Sequence, residues 1–310
     1  MQTTLNKSVT LSGVGLHSGR PARITLKPAM ADQGIWFRRT DSVEGDAFLP
    51  ARWDAVVESP LCTLLTNDDG VSLSTVEHVM AALAGCGVHN ALIEVSGPEV
   101  PILDGSAAPF VAAILRAGLR ELDAPIRVIR VLKPVEVRRG QGEGEAVARL
   151  EPSESLHIDF QIDFADAAIG AQERSMNMAN GAFVRELCDS RTFCRAADVE
   201  AMRADGKALG GTYDNAVVVE GEKILSPGGL RHEDEPVRHK MLDALGDLAL
   251  AGHPILARYT GSRAGHAMTN ALLHALFADP EAYEVVTCDA EMARRLPGTG
   301  LKSRDLRLVA

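Results

Sequence analysis

The sequence predicts an α+β fold of two similar domains, each a mixed sheet with helices on one face, packed helix layer to helix layer with the site between them. Three observations carry this. Each half of the chain holds several short strand-like runs and at least two helix-like runs. A polar, proline-bearing segment, Leu122-Asp-Ala-Pro125, divides the halves, so the domains are 1–124 and 125–310. The helix-like runs at 74–85 and 236–251 each oppose an apolar stripe to a polar face, and those polar faces can meet between the domains. No repeat is visible residue by residue.

The first half begins with strands at Val9–Leu11 and Ala22–Leu26. They flank Ser12-Gly-Val-Gly-Leu-His-Ser-Gly19, whose three glycines call for a tight hairpin or a close backbone approach. The loop leads to no helix, which argues against a dinucleotide fingerprint. His17 reads as a turn histidine or as a residue lining a site. Ile35–Phe37 and Cys62–Leu65 are further strands. Ser74–Gly85 is a helix, with Ser74 and Glu77 as a capping box and Val76, Val79, Met80 and Leu83 as its stripe. Glu77 and His78 point the other way: either a cap and a solvated histidine, or a base and a ligand turned toward another domain. Ala91–Val95 is a strand, and Asp104 is a turn residue before a helix at about 107–117.

In the second half, strands are expected at 127–131, 131–137, 146–150 and 156–164, the last alternating at period two, with a solvated hairpin loop at 138–145. Val199–Leu209 is a short helix and Ala216–Val219 a buried strand. Ile255–Tyr259 is a strand, and a final helix at 267–277 stops before Pro280. From about Leu296 the tail looks polar and loosely held.

The helix from Pro236 carries the sharpest chemistry. Acidic residues Glu233–Glu235 precede it, Pro236 suits its first position, and Gly252 marks its end. Wound at about 100° per residue, Val237, Met241, Leu245 and Leu248 share one side. His239, Asp243 and Asp247 share the other, at i, i+4 and i+8. A histidine and an aspartate one turn apart can grip one metal ion. Both are good zinc ligands, and a catalytic zinc takes three protein ligands and leaves a position for water. A solvated face of mixed charge would show the same spacing; a third ligand and a base elsewhere decide between them.

Composition sets the class. The 310 residues are 46% apolar and 24% charged, as in a globular protein with sizeable cores. A net charge of −10 argues against nucleic acid as partner while leaving room for a local basic pocket. The five cysteines, an odd number with no C-x-x-C pair, point away from a disulfide framework and toward a reducing cytoplasm. No signal-like apolar run opens the chain and no stretch is long enough to span a membrane. The oligomeric state is open, with a monomer favoured.

Several long motifs appear in order: Thr75-Val-Glu-His-Val-Met-Ala-Ala-Leu-Ala-Gly85, Pro101-Ile-Leu-Asp-Gly-Ser-Ala-Ala-Pro-Phe110, Asp189-Ser-Arg-Thr-Phe193, Arg238-His-Lys-Met-Leu-Asp-Ala-Leu-Gly-Asp247 and Gly265-His266. Through them the chain resembles the UDP-3-O-acyl-N-acetylglucosamine deacetylase family, zinc amidases of bacterial lipid A synthesis, over about residues 1–287. The resemblance implies one catalytic zinc per chain, held by His78, His239 and Asp243. It implies Glu77 as general base, His266 as a protonated histidine opposite it, Asp247 as the carboxylate orienting His266, and Thr192 near the oxyanion. Lys240 and Arg263 match positions near the substrate diphosphate, Arg263 standing where lysine is common. Phe193 opens a small βαβ insert at about 193–213 that lines a passage for the fatty acyl chain, and Phe164 matches either a stack on the uracil or a strand-core phenylalanine. Cys194-Arg195 departs from the small or apolar residues expected there.

The substrate so implied is a UDP-sugar bearing a fatty acyl chain. A zinc amidase acting on another N-acetyl sugar is the rival within enzymes; an apolar insert, for which Val199, Met202 and Leu209 speak, separates the two. A non-catalytic two-domain binding module is the rival outside them, opposed by the joint presence of Glu77, His78, His239, Asp243 and His266.

Overall fold

The computed structural model describes residues 1–306 and has the expected α+β class. Its two large sheets come from different halves of the chain. The first runs, in spatial order, Val9–Val14, Pro21–Pro28, Ala91–Ser96, Ile35–Arg39 and Phe48–Pro50. All its pairs are antiparallel except Ile35–Arg39 with Ala91–Ser96. The second is built on Ile255–Ser262, which pairs with Arg127–Val131, Ala146–Pro152 and His157–Asp163. Val135–Arg139, Tyr283–Thr287 and Ala171–Asn177 complete it.

Seven helices occur among the described residues: α1 (Glu77–Gly85), α2 (Ala108–Ala117), α3 (Ala182–Glu186), α4 (Ala196–Ala204), α5 (Glu235–Leu248), α6 (His266–Ala278) and α7 (Ala290–Ala293). Helix α5 packs against α1 from the first half and α6 from the second. The α1–α5 approach is set by Gly246: a Cβ there would lie 2.1 Å from the carbonyl oxygen of Glu77. Gly85 at the end of α1 likewise accepts the ring of Phe183, which would meet a Cβ at 2.0 Å. One apolar cluster runs from Leu26, Phe37 and Ile93 through Val79 and Leu245 to Ile158 and Tyr259.

The expected linker is itself held: Gln2 N donates to Ala124 O at 2.8 Å and Leu122 N to Gln2 O at 2.9 Å. Residues 193–220 form a parallel βαβ unit, Phe193–Arg195, α4 and Val217–Glu220, followed by Lys223–Ile224. The unit thus closes beyond residue 213, because its second strand is the apolar run Val217-Val-Val219.

Four local expectations are corrected. The Ser74/Glu77 capping box does not form: Ser74 ends the strand Ser72–Ser74, and Glu77 instead accepts from Thr63 N at 3.1 Å. The short helix expected at 199–209 lies at 196–204, because Gly206 at φ +71° and Ala208 at φ +54° cannot continue it. The tail is not loose at its start, since Leu296 is buried with Ile126, Val128 and Leu256; residues 307–310 lie outside the described residues. Strands at 171–177 and 283–287 and helix α3 were not expected, and the strand expected at 131–137 lies at Val135–Arg139, while Arg127–Val131 forms as expected.

Candidate active site

Helix α5 buries both its faces. Val237, Met241 and Leu245 enter the apolar core, and His239, Asp243 and Asp247 on the opposite side are 3%, 4% and 1% exposed. The polar face is covered by the start of α1, where Glu77 and His78 are 3% and 4% exposed. Burying five such groups is costly unless each has a partner, so the partners define the site.

His78, His239 and Asp243 offer ligand atoms that all lie within 4.8 Å of one another. The two imidazole Nε2 atoms face each other at 3.1 Å, and His78 Nε2 is 3.6 Å from Asp243 Oδ1. That Oδ1 is buried and has no hydrogen-bond partner among the described residues. An orphaned carboxylate oxygen beside two facing imidazoles fits a divalent cation, and the donor set is one that zinc or iron accepts. Asp243 Oδ2 is engaged by Lys240 Nζ at 3.0 Å and lies 3.3 Å from His239 Nδ1. Burial alone would raise the Asp243 carboxyl; His239, Lys240 and His266 outweigh it and hold the group well below its ordinary value. Burial pulls His239 down, toward the neutral form a metal ligand needs.

Glu77 and His266 face each other across this group, His266 Nε2 lying 3.9 Å from Glu77 Oε1 and 3.9 Å from Asp243 Oδ2. Burial raises the Glu77 carboxyl, partly opposed by His266 and His78. Burial would lower His266, but Asp247, Glu77 and Asp243 outweigh it and lift its pKa to about 9. The closest of these acids, Asp247, accepts at 2.8 Å from His266 Nδ1 through its Oδ2. One wall therefore carries a carboxyl whose proton affinity burial raises, and the other an imidazolium disposed to keep its proton.

Thr63, absent from the sequence reading as a site residue, knits these parts. Its amide donates to Glu77, its hydroxyl donates to Asp247 Oδ1 at 2.5 Å, and its carbonyl accepts from Thr75 N at 3.0 Å. Thr75 adopts a left-handed φ of +60°, which for a β-branched residue costs on the order of 1–3 kcal/mol. A second unforeseen pair is Arg191–Glu235, with side chains 7% and 0% exposed. Glu235 accepts from Arg191 N and Nε, each at 2.9 Å. The pair ties the segment before Thr192 to the first turn of α5, one turn before His239. No periodicity marks Thr63, and only the unbroken motif Asp189–Phe193 flagged Arg191.

The remaining expected residues lie at graded distances. Phe193 packs edge-on to His239 with ring centroids 6.3 Å apart, and Phe164 edge-on to Phe193 at 5.4 Å. Thr192 is fixed through its backbone, its N donating to Gly105 O and its O accepting from Val217 N, both at 2.8 Å. Arg263 is exposed and its guanidinium pairs with Asp163. Lys240 is half-buried beside Asp243.

A family model described as UDP-3-O-acyl N-acetylglycosamine deacetylase matches residues 2–278. Similar curated proteins carry the name UDP-3-O-acyl-N-acetylglucosamine deacetylase. That of Shewanella oneidensis is 43% identical over 96% of this chain and 97% of its own length. That of Phenylobacterium zucineum is 47% identical over 94% and 98%, and that of an Anaeromyxobacter species 47% over 96% and 95%. No helix among the described residues is long and apolar enough to cross a membrane. The chain belongs to the UDP-3-O-acyl-N-acetylglucosamine deacetylase family.

Proposed function

We propose that this chain hydrolyses the acetamide of UDP-3-O-acyl-N-acetylglucosamine, releasing acetate and UDP-3-O-acyl-glucosamine, an early step of lipid A synthesis in the cytoplasm. The observation that carries the reading is the orphaned Asp243 oxygen beside two facing imidazoles, walled by Glu77 and His266. His78, His239 and Asp243 hold one zinc ion. Bound there, the ion supplies Lewis-acid chemistry, polarising a carbonyl and acidifying water toward neutral pH.

The protein's own groups do the rest. Glu77 removes the proton of the attacking water, for which its burial-raised carboxyl is suited. The water oxygen bonds to the acetyl carbon. His266, kept positive by Asp247, stabilises the negative carbonyl oxygen together with the Thr192 hydroxyl. The C–N bond then breaks, His266 Nε2 passes a proton to the leaving amine, and acetate departs. Lys240 and Arg263 attract the diphosphate, a local basic exception on a chain of net charge −10. Phe193 opens the passage for the acyl chain and Phe164 stacks on the uracil. In the same reading the sheets belong to two domains divided at about residue 124, and the βαβ unit is the acyl-binding insert.

The test is acetate release from UDP-3-O-acyl-N-acetylglucosamine by purified protein, after chelation and after zinc is restored. Loss and recovery of release support reaction and metal together. No release from the zinc-loaded protein rejects the substrate, and the same assay on other N-acetyl sugars then decides whether an amidase remains.

A further inference from the structure

Glu99 makes no contact with the metal-ligand group, yet it is 1% exposed and fully engaged. Its Oε1 accepts from His17 N at 2.8 Å and Thr75 Oγ1 at 3.0 Å, and its Oε2 accepts from Ser18 N at 2.8 Å. Three donors on one buried carboxylate make strong, charge-assisted bonds. They reach two separate structures.

The first is the glycine-rich hairpin loop. Gly15 is needed for the loop to close on the carboxylate, since a Cβ there would lie 2.3 Å from Glu99 Oε2. The same loop supports the segment of the βαβ unit that follows α4: Gly210 N donates to Leu16 O at 3.0 Å and Leu209 N to His17 O at 3.2 Å. A Cβ on Gly210 would lie 2.2 Å from Gly15 O, so insert and hairpin meet backbone to backbone. The second structure is Thr75, the left-handed residue that aims α1. Its neighbour two positions on is Glu77, and both are tied to Thr63.

We infer that Glu99 is a positioning residue: a single buried carboxylate holds the hairpin loop under the insert and the strained residue before α1, and so sets Glu77 and His78 in register with the insert. Without it the half-buried amides of His17 and Ser18 lose their carboxylate acceptor and Thr75 loses the partner of its hydroxyl. The hydrogen bonds of Glu99 go to these two loops and to none of Glu77, His78, His239 and Asp243. The kinetic half of the test rests on the deacetylase reading; the exchange half does not.

The experiment compares the full chain with Glu99→Gln, Thr75→Val and Thr75→Ser. Amide hydrogen exchange is expected to rise at least tenfold in Glu99→Gln at residues 16–18, 75–78 and 208–211 together, with α6 unchanged. In metal-loaded, folded protein, kcat should fall at least tenfold and KM rise at least threefold. Thr75→Val, equally branched but lacking the hydroxyl, should reproduce the kcat loss, and Thr75→Ser should stay within twofold of wild type. A merely structural Glu99 would lower the melting temperature while leaving kcat per folded chain within twofold, and that result overturns the inference. So does unchanged exchange at 75–78. If Glu99→Gln does not fold, the two Thr75 variants decide: equal kcat in Thr75→Val and Thr75→Ser overturns it. If wild type releases no acetate, the deacetylase reading falls and the exchange pattern alone decides this one.

Discussion

Helices α4 and α5 break the same rule in opposite directions. A helix on a globular protein buries one stripe and wets the other. Helix α5 wets almost nothing: twelve of its fourteen residues are buried, among them His239, Asp243 and Asp247. Helix α4 buries none of its nine residues, and its Val199 and Met202 are only half-covered. Buried polarity needs partners and gathers His78, His239 and Asp243 into a group that could hold a metal ion; half-covered apolarity leaves Val199 and Met202 open to a further apolar partner. On the proposed reading, stability and chemistry are concentrated on α5, and acyl-chain contact without stability falls to α4.

The largest test of this contrast is Asp243→Ala. Removing a ligand forfeits Lewis-acid assistance worth several kcal/mol, so acetate release should fall by about 10³-fold and the purified variant should hold little metal. Elemental analysis showing one ion per chain would rule out its ligand role. Next is Arg191→Ala, which removes the partner of Glu235 at the start of α5. It leaves Glu235 charged and buried, and chemical denaturation should show a loss of about 3–5 kcal/mol. A loss below about 1 kcal/mol would mean that water reaches Glu235.

Gly246→Ala comes third. In an exposed helix the change gains up to about 1 kcal/mol. Here the added methyl meets the Glu77 carbonyl, so thermal unfolding should show a loss of about 1–3 kcal/mol. On α4 the expectation reverses. Val199→Ser with Met202→Gln should change stability by no more than about 0.5 kcal/mol while raising KM for the acylated substrate. A large stability loss would show that α4 is part of the core.

A pH-dependent effect lies outside both helices. Burial, with the chain's N-terminal charge and His253, lowers the pKa of His89 to about 4. Unfolding restores a value near 6.5, so protons favour the unfolded chain. The contribution is full above about pH 6.5 and is lost as pH falls toward 4. The stability difference between wild type and His89→Gln should therefore shrink over that window; a constant difference would contradict the shift.

Local pattern exposed part of this. The spacing of His239, Asp243 and Asp247 and the apolar stripe opposite them were readable because both follow from 3.6 residues per turn. That the polar faces of α1 and α5 can meet was readable from their stripes, but how completely that meeting buries His239, Asp243 and Asp247 was not, since it depends on α1 arriving from the other half of the chain. The same limit explains Thr63, whose hydroxyl meets an aspartate 184 residues away. It also explains Glu77, which fits a capping box locally but is claimed by the Thr63 amide instead. Thr192 and His266 were chosen through family resemblance, not through spacing. The hairpin glycines signalled a close backbone approach, but only the fold reveals that Gly210 is what approaches.

The central claim is that the buried polar face of α5, with Glu77 above it, is a hydrolytic centre in which binding the metal and moving the proton are separate tasks. Glu77→Gln tests it most directly, with metal content and acetate release measured on the same sample. The account predicts one zinc per chain, as in wild type, and a rate lower by about 10²-fold or more. Full zinc with near-wild-type release would contradict it.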